Sequence, residues 1–272
     1  MSALYQKFTK GFIMTYFRLD KFIGDHCELS RSQIKVLIKN GKVCVDGVTA
    51  KSPDFKIDPD LNSVSLDGKS ICYRKNTYIL LNKPEGFVCS TDPKDGANVI
   101  DLVPPQLRVK GLFPAGRLDK DTLGAVLLTD DGQLAHKILS PASHIPKIYL
   151  VKLAKPFKSN YFNKFSDGLL LENGEVCMPA LVSPVENNEN WAFIQLHEGK
   201  YHQVKRMFAA VENHVDALMR VSLGGLKIPE NLGKGQSIEL LHKDVENLFL
   251  TPDFNRFCSD NFVIFSSYLI NK

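Results

Sequence analysis

The apolar residues of this chain fall in short runs, each closed by a residue that interrupts regular structure. YILLNKP stops at a proline and AVLLTDDG at an acidic pair and a glycine, and KIYLVKLAKP and NWAFIQLHEG follow the same pattern. Runs bounded in this way read as strands, and GFVCST reads as one more. Between them QLAHKILSP, SNYFNKFSDGL and HQVKRMFAAVENH carry helical spacing. Many strands with few helices, and no regular strand–helix–strand alternation, predict an α+β domain on a mixed, mostly antiparallel sheet over residues 77–250.

A smaller unit is expected before it, over residues 14–60. Leu19, Phe22 and Ile23 fall at helical spacing, and Ser30 caps a second helix, RSQIKVLIKNG, that closes at Asn40-Gly41. Ile34, Leu37 and Ile38 share one face of it, while Arg31, Lys35 and Lys39 recur every four residues on another. KVCVDGVTAK then gives two alternating runs joined by Asp46-Gly47, a strong hairpin signal. The basic stripe reads equally well as a phosphate-tracking surface or as a solvated helix face. Residues 61–76 are polar and turn-rich, contain Asp67-Gly68, and read as a linker. Residues 251–272 read as a C-terminal extension in which Phe262, Val263, Ile264 and Phe265 either add a strand or stay loose.

A chain of 272 residues suits one large and one small domain, and 44% hydrophobic with 24% charged residues excludes a disordered or fibrous class. No apolar run is long enough to span a membrane. The start, MSALYQKFTKGFIM, has no long apolar core and no small-residue cleavage site, so no signal peptide is expected. The folded pattern is expected to begin near Tyr16, with the residues before it a frayed extension or an artefact of start-codon choice. Cys27, Cys44, Cys72, Cys89, Cys177 and Cys258 show no paired spacing, which fits free thiols in the reducing cytoplasm. The histidines form no metal-ligand pattern, so no metal is expected. A net charge of +4 permits nucleic-acid binding without establishing it.

Three stretches carry candidate chemistry. In FPAGRLDKDTLGAVLLTDDG, two glycines flank Arg117–Thr122, which reads as a loop held before a strand and carrying Asp119 and Asp121. In HEGKYHQVKRMFAAVENHV, Val204, Met207, Phe208 and Val211 form one buried helix face. Lys205 and Arg206 sit near that helix's start, where cations oppose the helix dipole and call for a nearby anion. In PKIYLVKL, Tyr149 shares its strand face with Lys147 and Val151, and by itself reads as part of a packed sheet face.

Taken together, GRLD with G-x-x-x-x-T-x-D-G, then K-x-Y-x-V, then EGKYHQVKRM resemble the motifs of the pseudouridine synthases, in particular the small-subunit ribosomal branch, the RsuA family. LNKPEGFVCSTDP, TDDGQLAHKILSP and KYHQVKRMFAAVENHV lean the same way, and the resemblance runs from about Phe17 to about Leu241. FRLDKFI…SRSQIKVLIKNGKVCVDG resembles the small alpha-L RNA-binding motif. The chain beyond Leu241 and before Thr15 has no counterpart in the pattern.

The resemblance implies Asp119 as the essential carboxylate, Tyr149 as the ring that stacks on the target base, and Lys205 as its ion partner, with Arg206 sharing or replacing that role. Leu223, before Gly224-Gly225, would line the pocket, and Arg117 would contact substrate. Arg18, Arg31, Lys35 and Lys39 would bind RNA. Breaking N1–C1′, turning the uracil and rejoining it through C5 needs no cofactor. The carboxylate has three open roles: nucleophile, stabiliser of an oxocarbenium-like sugar, or base toward a sugar proton. If Asp119 lies in a pocket that excludes water, removing Lys205 would cost on the order of 3–5 kcal/mol. The expected substrate is one uridine of 16S ribosomal RNA within a small-subunit assembly intermediate, and the expected state is a monomer. The alternatives are a non-catalytic RNA-binding assembly factor and a synthase for large-subunit RNA; a glycosidase using Asp119 and Asp121 would leave the basic unit unexplained.

Overall fold

The structure, a computed structural model, describes residues 16–270 apart from 28, 60 and 72–75. The N-terminal extension and Cys72 lie outside the described residues. The chain divides into two units between Lys75 and Asn76.

In the first unit β1 (Phe17–Arg18) runs into α1 (Leu19–His26), and α2 (Arg31–Lys39) follows. The Ser30 hydroxyl accepts from the Gln33 N–H at 3.4 Å, and Gln33 Oε1 accepts from the Ser30 N–H at 2.8 Å. Such a reciprocal cap contributes about 1 kcal/mol and starts α2 where the sequence places it. β2 (Val43–Val45) and β3 (Val48–Thr49) join through Asp46 and Gly47, both at positive φ (51° and 78°), the backbone of a primed hairpin turn. β4 (Lys56–Ile57) pairs with β1. The segment expected as a linker instead forms a second hairpin, β5 (Val64–Leu66) and β6 (Lys69–Ile71), turning at Asp67-Gly68. β5 pairs with β2, giving the order β3-β2-β5-β6. Its strands have little apolar signal of their own, and their pairing comes from a neighbour that local periodicity does not show. Leu19, Phe22, Ile23, Ile34, Ile38, Val43 and Val64 make the core.

The second unit begins with β7 (Tyr78–Lys83), followed by β8 (Phe113–Pro114), β9 (Leu123–Thr129) and α3 (Gly132–Leu139). β10 (Lys147–Leu153), α4 (Tyr161–Ser166), β11 (Leu181–Val185) and β12 (Asn188–Leu196) come next. Then follow α5 (Gln203–Ala210), β13 (Val215–Leu223), β14 (Leu226–Lys227) and β15 (Ser237–Glu239). The last elements are α6 (His242–Glu246) and α7 (Phe254–Ile270). The strands form one sheet in the order β11-β12-β10-β13-β9-β7-β15, with β14 on β13 and β8 on β9. Its pairs are antiparallel except β13 with β9. The expected mixed, mostly antiparallel sheet is present. GFVCST is not a strand, since Val88 makes only an isolated bridge to Asn98.

Alternation along the strands gives two cores. Leu80, Leu127, Ile148, Leu150, Phe193 and Met219 face one side. Ile79, Leu81, Val126, Val151, Ile194 and Leu218 face the other, beneath Phe165 of α4 and Met207 and Phe208 of α5. The C-terminal extension is neither strand nor loose: α7 lies on the first face. Phe257 packs edge-on against Phe193 at 6.2 Å, and Phe262 against Trp191 at 5.7 Å. Phe254, Phe257, Cys258, Asn261, Phe265, Ser266 and Leu269 are buried along it, a stripe at helical spacing. The run Phe262–Phe265 concealed that stripe by placing exposed Val263 inside an apolar block. No helix among the described residues is long and apolar enough to cross a membrane.

The connection from β8 to β9, which carries Arg117–Thr122, is fastened to its surroundings. The Leu118 N–H donates to Cys89 Sγ at 3.3 Å, and the Thr122 N–H to the Asp119 carbonyl at 3.1 Å. Lys83, at the end of β7 and fully buried, donates to the carbonyls of Pro84, Lys120 and Thr122 at 3.0, 3.2 and 2.8 Å. Burial pushes this ammonium down to about 8, and the three carbonyls are the partners that offset its desolvation. TDDG is also structural: Asp131 accepts from the N–H groups of Gln133 and Leu134 at 3.0 Å and so caps α3.

Two substitutions test this account by urea denaturation. Phe265→Ala is expected to cost about 3–5 kcal/mol, as for a fully buried aromatic, and a loss under about 1 kcal/mol would show that α7 is not docked. Lys83→Met is expected to cost about 1–3 kcal/mol by leaving carbonyl groups unpaired, whereas a neutral result would mean the loop does not depend on it.

Candidate active site

A cavity of about 130 Å³ opens where the β8–β9 loop meets β10, β13 and the start of α5. It is comparable to the ~150 Å³ void that admits a benzene ring in an engineered core. Arg117, Asp119, Tyr149 and Leu223, four residues singled out from the sequence, all line it. They come from a loop and two strands separated along the chain. What joins them is the parallel pairing of β9 and β13, in which Gly124 lies opposite Arg220. Gly124 has a φ of 108°, and a Cβ there would lie 2.1 Å from the Arg220 carbonyl oxygen. Only glycine allows this approach.

Lys205 projects from the first turn of α5 toward the loop. Its Nζ is 2.7 Å from both carboxylate oxygens of Asp121 and 4.0 Å from Oδ2 of Asp119. Asp121 is therefore its main partner, and Asp119 is the second. Burial acts to raise the Asp121 carboxyl, and the Lys205 ammonium more than reverses this, holding it below the ordinary carboxylate value. Asp119 Oδ1 also lies 3.5 Å from Nε2 of His202, a residue in left-handed backbone (φ 46°) that ends the loop before α5. Backbone strain of this kind recurs at functional sites.

Arg206 does not reach Asp119. Its guanidinium pairs with Glu175 at 3.0 Å and donates to Asn173 Oδ1 at 2.6 Å. The two cations at the start of α5 thus each have the anion that the helix dipole calls for, but in different places. The pocket is also wetter than expected, because the Asp119 side chain is 30% exposed and that of Lys205 26%. The expected penalty for unpairing a buried charge does not apply, and a half-exposed pair of this geometry contributes no more than about 1 kcal/mol to stability.

In the first unit Arg31, Lys35 and Lys39 are exposed along α2. Arg18 is different, because its Nη2 binds Oδ2 of the buried Asp20 at 2.8 Å. The arginine holds that carboxyl below its ordinary value, so much of Arg18's charge is spent inside its own unit.

Sequence reasoning missed His202, Lys83, Lys147 and Arg220. His202 sits in a motif that had been quoted but given no role. Lys147 and Arg220 both line the cavity. Lys147 was legible as sharing the face of Tyr149, but nothing local indicated that β13 would bring Arg220 beside them.

Comparison with known proteins bears on the family and the fold. Residues 77–210 match the RNA pseudouridylate synthase family, and residues 17–61 the S4 domain. The chain is 37% identical over 233 residues to an uncharacterized RNA pseudouridine synthase, YtzG, of Bacillus subtilis (strain 168), covering 85% of this chain and 98% of that one. It is 39% identical over 234 residues to the ribosomal small subunit pseudouridine synthase A of Vibrio vulnificus (strain CMCP6), and 38% identical over 233 residues to that of Escherichia coli (strain K12). Each match covers 85% of this chain and 99% of the relative. A crystal structure of a pseudouridylate synthase, 38% identical, superposes with a TM-score of 0.59 over 85% of this chain and 99% of that one. A fastened aspartate loop facing a tyrosine-lined cavity, with an S4 unit ahead of it, therefore belongs to a known lineage: this chain is a member of the RNA pseudouridine synthase family, in its RsuA-type branch.

Proposed function

We propose that this synthase converts one uridine of 16S ribosomal RNA to pseudouridine, with Asp119 as the carboxylate that acts on the sugar. The observation that carries the reading is the single cavity shared by Asp119, Tyr149 and Leu223, with Lys205 at its rim. A uridine cannot react while stacked and must be turned out of the RNA into such a pocket. Tyr149 offers the face on which the base rests, worth roughly 1–3 kcal/mol. Leu223 supplies apolar wall, and exposed Arg117 lies at the mouth, where a flanking phosphate would pass. Lys205 holds Asp121 and faces Asp119, keeping the loop's two carboxylates beside one cation.

The choice of small-subunit RNA draws on the relatives whose names specify that subunit. The target is reached on an assembly intermediate, before protein and RNA packing encloses it, by a monomer working in the cytoplasm. Arg31, Lys35 and Lys39 on α2 meet RNA phosphates, whereas Arg18 contributes less because Asp20 holds it.

Two measurements check this reading. In a strain lacking the gene, carbodiimide primer extension is expected to lose one small-subunit stop, which wild type restores and Asp119→Asn does not. In single turnover Asp119→Asn should lose on the order of 10²–10⁴-fold or more in rate; survival of every small-subunit pseudouridine in the deletion would overturn the substrate. Replacing Arg31, Lys35 and Lys39 by glutamine should weaken RNA binding and flatten its log–log salt dependence by about one unit per side chain, with an unchanged slope counting against the stripe.

A further inference from the structure

The cavity that holds Asp119 also holds two cations to which the reading above assigns no task. Lys147 opens β10 and shares a face with Tyr149, and Tyr149 is paired with Arg220 across the β10–β13 ladder. Arg220 is 3% exposed, and only its Nε finds an acceptor, the Ala125 carbonyl at 2.8 Å. Lys147 Nζ donates to the Ile145 carbonyl at 2.9 Å. Among the described residues neither side chain makes an ion pair. Glu198, which attracts Lys147 through space, is itself engaged by the Gln203 amide at 2.6 Å and the Met178 N–H at 2.9 Å. Burial and then the charge of Arg220 push the Lys147 ammonium down to about 8. Two like charges in one partly desolvated space disfavour each other, and an anion placed between them relieves both.

We infer that Lys147 and Arg220 form a seat for the uracil ring as an anion, in the interval between its release from C1′ and its return. This rests on the reading of the cavity as the uridine pocket. When the N1–C1′ bond breaks heterolytically, its electron pair goes to the base, and the negative charge spreads over N1, O2 and O4. The new bond is made from C5 to C1′ with electrons of the ring; the C5 proton then leaves and a proton adds at N1, so nothing is oxidised or reduced. The charge separation of the first step matches the charges of the site. Asp119 favours the electron-poor sugar carbon, and the two cations favour the electron-rich base. Fixed charges aimed at the developing anion lower the barrier because they need no reorganisation during the reaction. They also hold the free ring in place while it turns. Tyr149 gives it a surface on which rotation in the ring plane costs little.

Barbiturate, a uracil with an added oxygen at C6 and an anion at neutral pH, probes the seat without RNA. Its binding and that of uracil to the full-length enzyme are compared by NMR titration at neutral pH. The wild type is expected to prefer barbiturate by about tenfold or more, the worth of one charge-assisted hydrogen bond. Lys147→Met and Arg220→Gln should each erode that preference, and Lys147→Arg should keep it. In single turnover on RNA, Lys147→Met should slow conversion without weakening RNA binding, and Lys147→Arg should restore it. Should Arg220→Gln fail to fold, the half-buried Lys147 position carries the comparison alone. Equal binding of the two rings to wild type, or a preference that survives Lys147→Met, would overturn the anion seat and leave the uridine pocket standing. Binding of neither ring would overturn both.

Discussion

Where β9 and β13 run side by side, the second unit brings two halves of its sheet together. On one side lie β11, β12, β10 and β13, and on the other β9, β7 and β15, each half built from antiparallel neighbours. The joint is parallel and short, with Met219 opposite Leu123 and Arg220 opposite Gly124. It exists because position 124 has no side chain to strike the Arg220 backbone. One half brings the aspartate loop and the other brings Tyr149, Arg220, Lys147 and Leu223. Without close contact at the joint there would be no shared cavity, and the family motifs would be scattered features of two separate hairpin systems.

Charge placement then decides what the cavity can do. The rim is acidic and compensated, with Asp121 and Asp119 sharing Lys205 and with His202 against Asp119. Farther in, Lys147 and Arg220 are cationic and lack carboxylate partners among the described residues. A site that breaks a bond heterolytically gains from such an asymmetry, because each fragment meets the charge opposite to its own. The loop can hold this arrangement because its carbonyl groups are fixed by Lys83, a lysine given no exposure at all. Burying an ammonium is costly, and the carbonyl partners that offset the cost include those of Lys120 and Thr122 in the loop that carries Asp119.

The opposite face of the sheet is closed by α7, whose aromatic stripe packs on Trp191 and Phe193. Covering that face with the C-terminal extension gives the sheet a second apolar layer, so that its strands are buried on both sides and hold their register. The RsuA-type pattern recognised in the sequence ends before this helix, which supports the site from behind without contributing a residue to it.

Much of this protein was legible in its residues alone. The caps at Ser30, the turn at Asp46-Gly47, the strands from Tyr78, Leu123, Lys147 and Asn188, and the three central helices all follow from local signals. The motifs around Asp119, Tyr149 and Lys205 were likewise enough to suggest the family. Local patterns could not show which anion Lys205 meets, because aspartates two apart in a loop have no fixed direction until the loop is fastened. Nor could they show that Arg206 turns to Glu175, that residues 64–71 join the small sheet, or that residues 254–270 coil into a helix on the back face. The assembly of β13 between β10 and β9, and with it the meeting of Arg220 and Lys147 beside Tyr149, was decided by the tertiary structure. Pairing partners lie far apart along the chain, and a strand's neighbours are chosen by the packing of the whole sheet rather than by its own sequence.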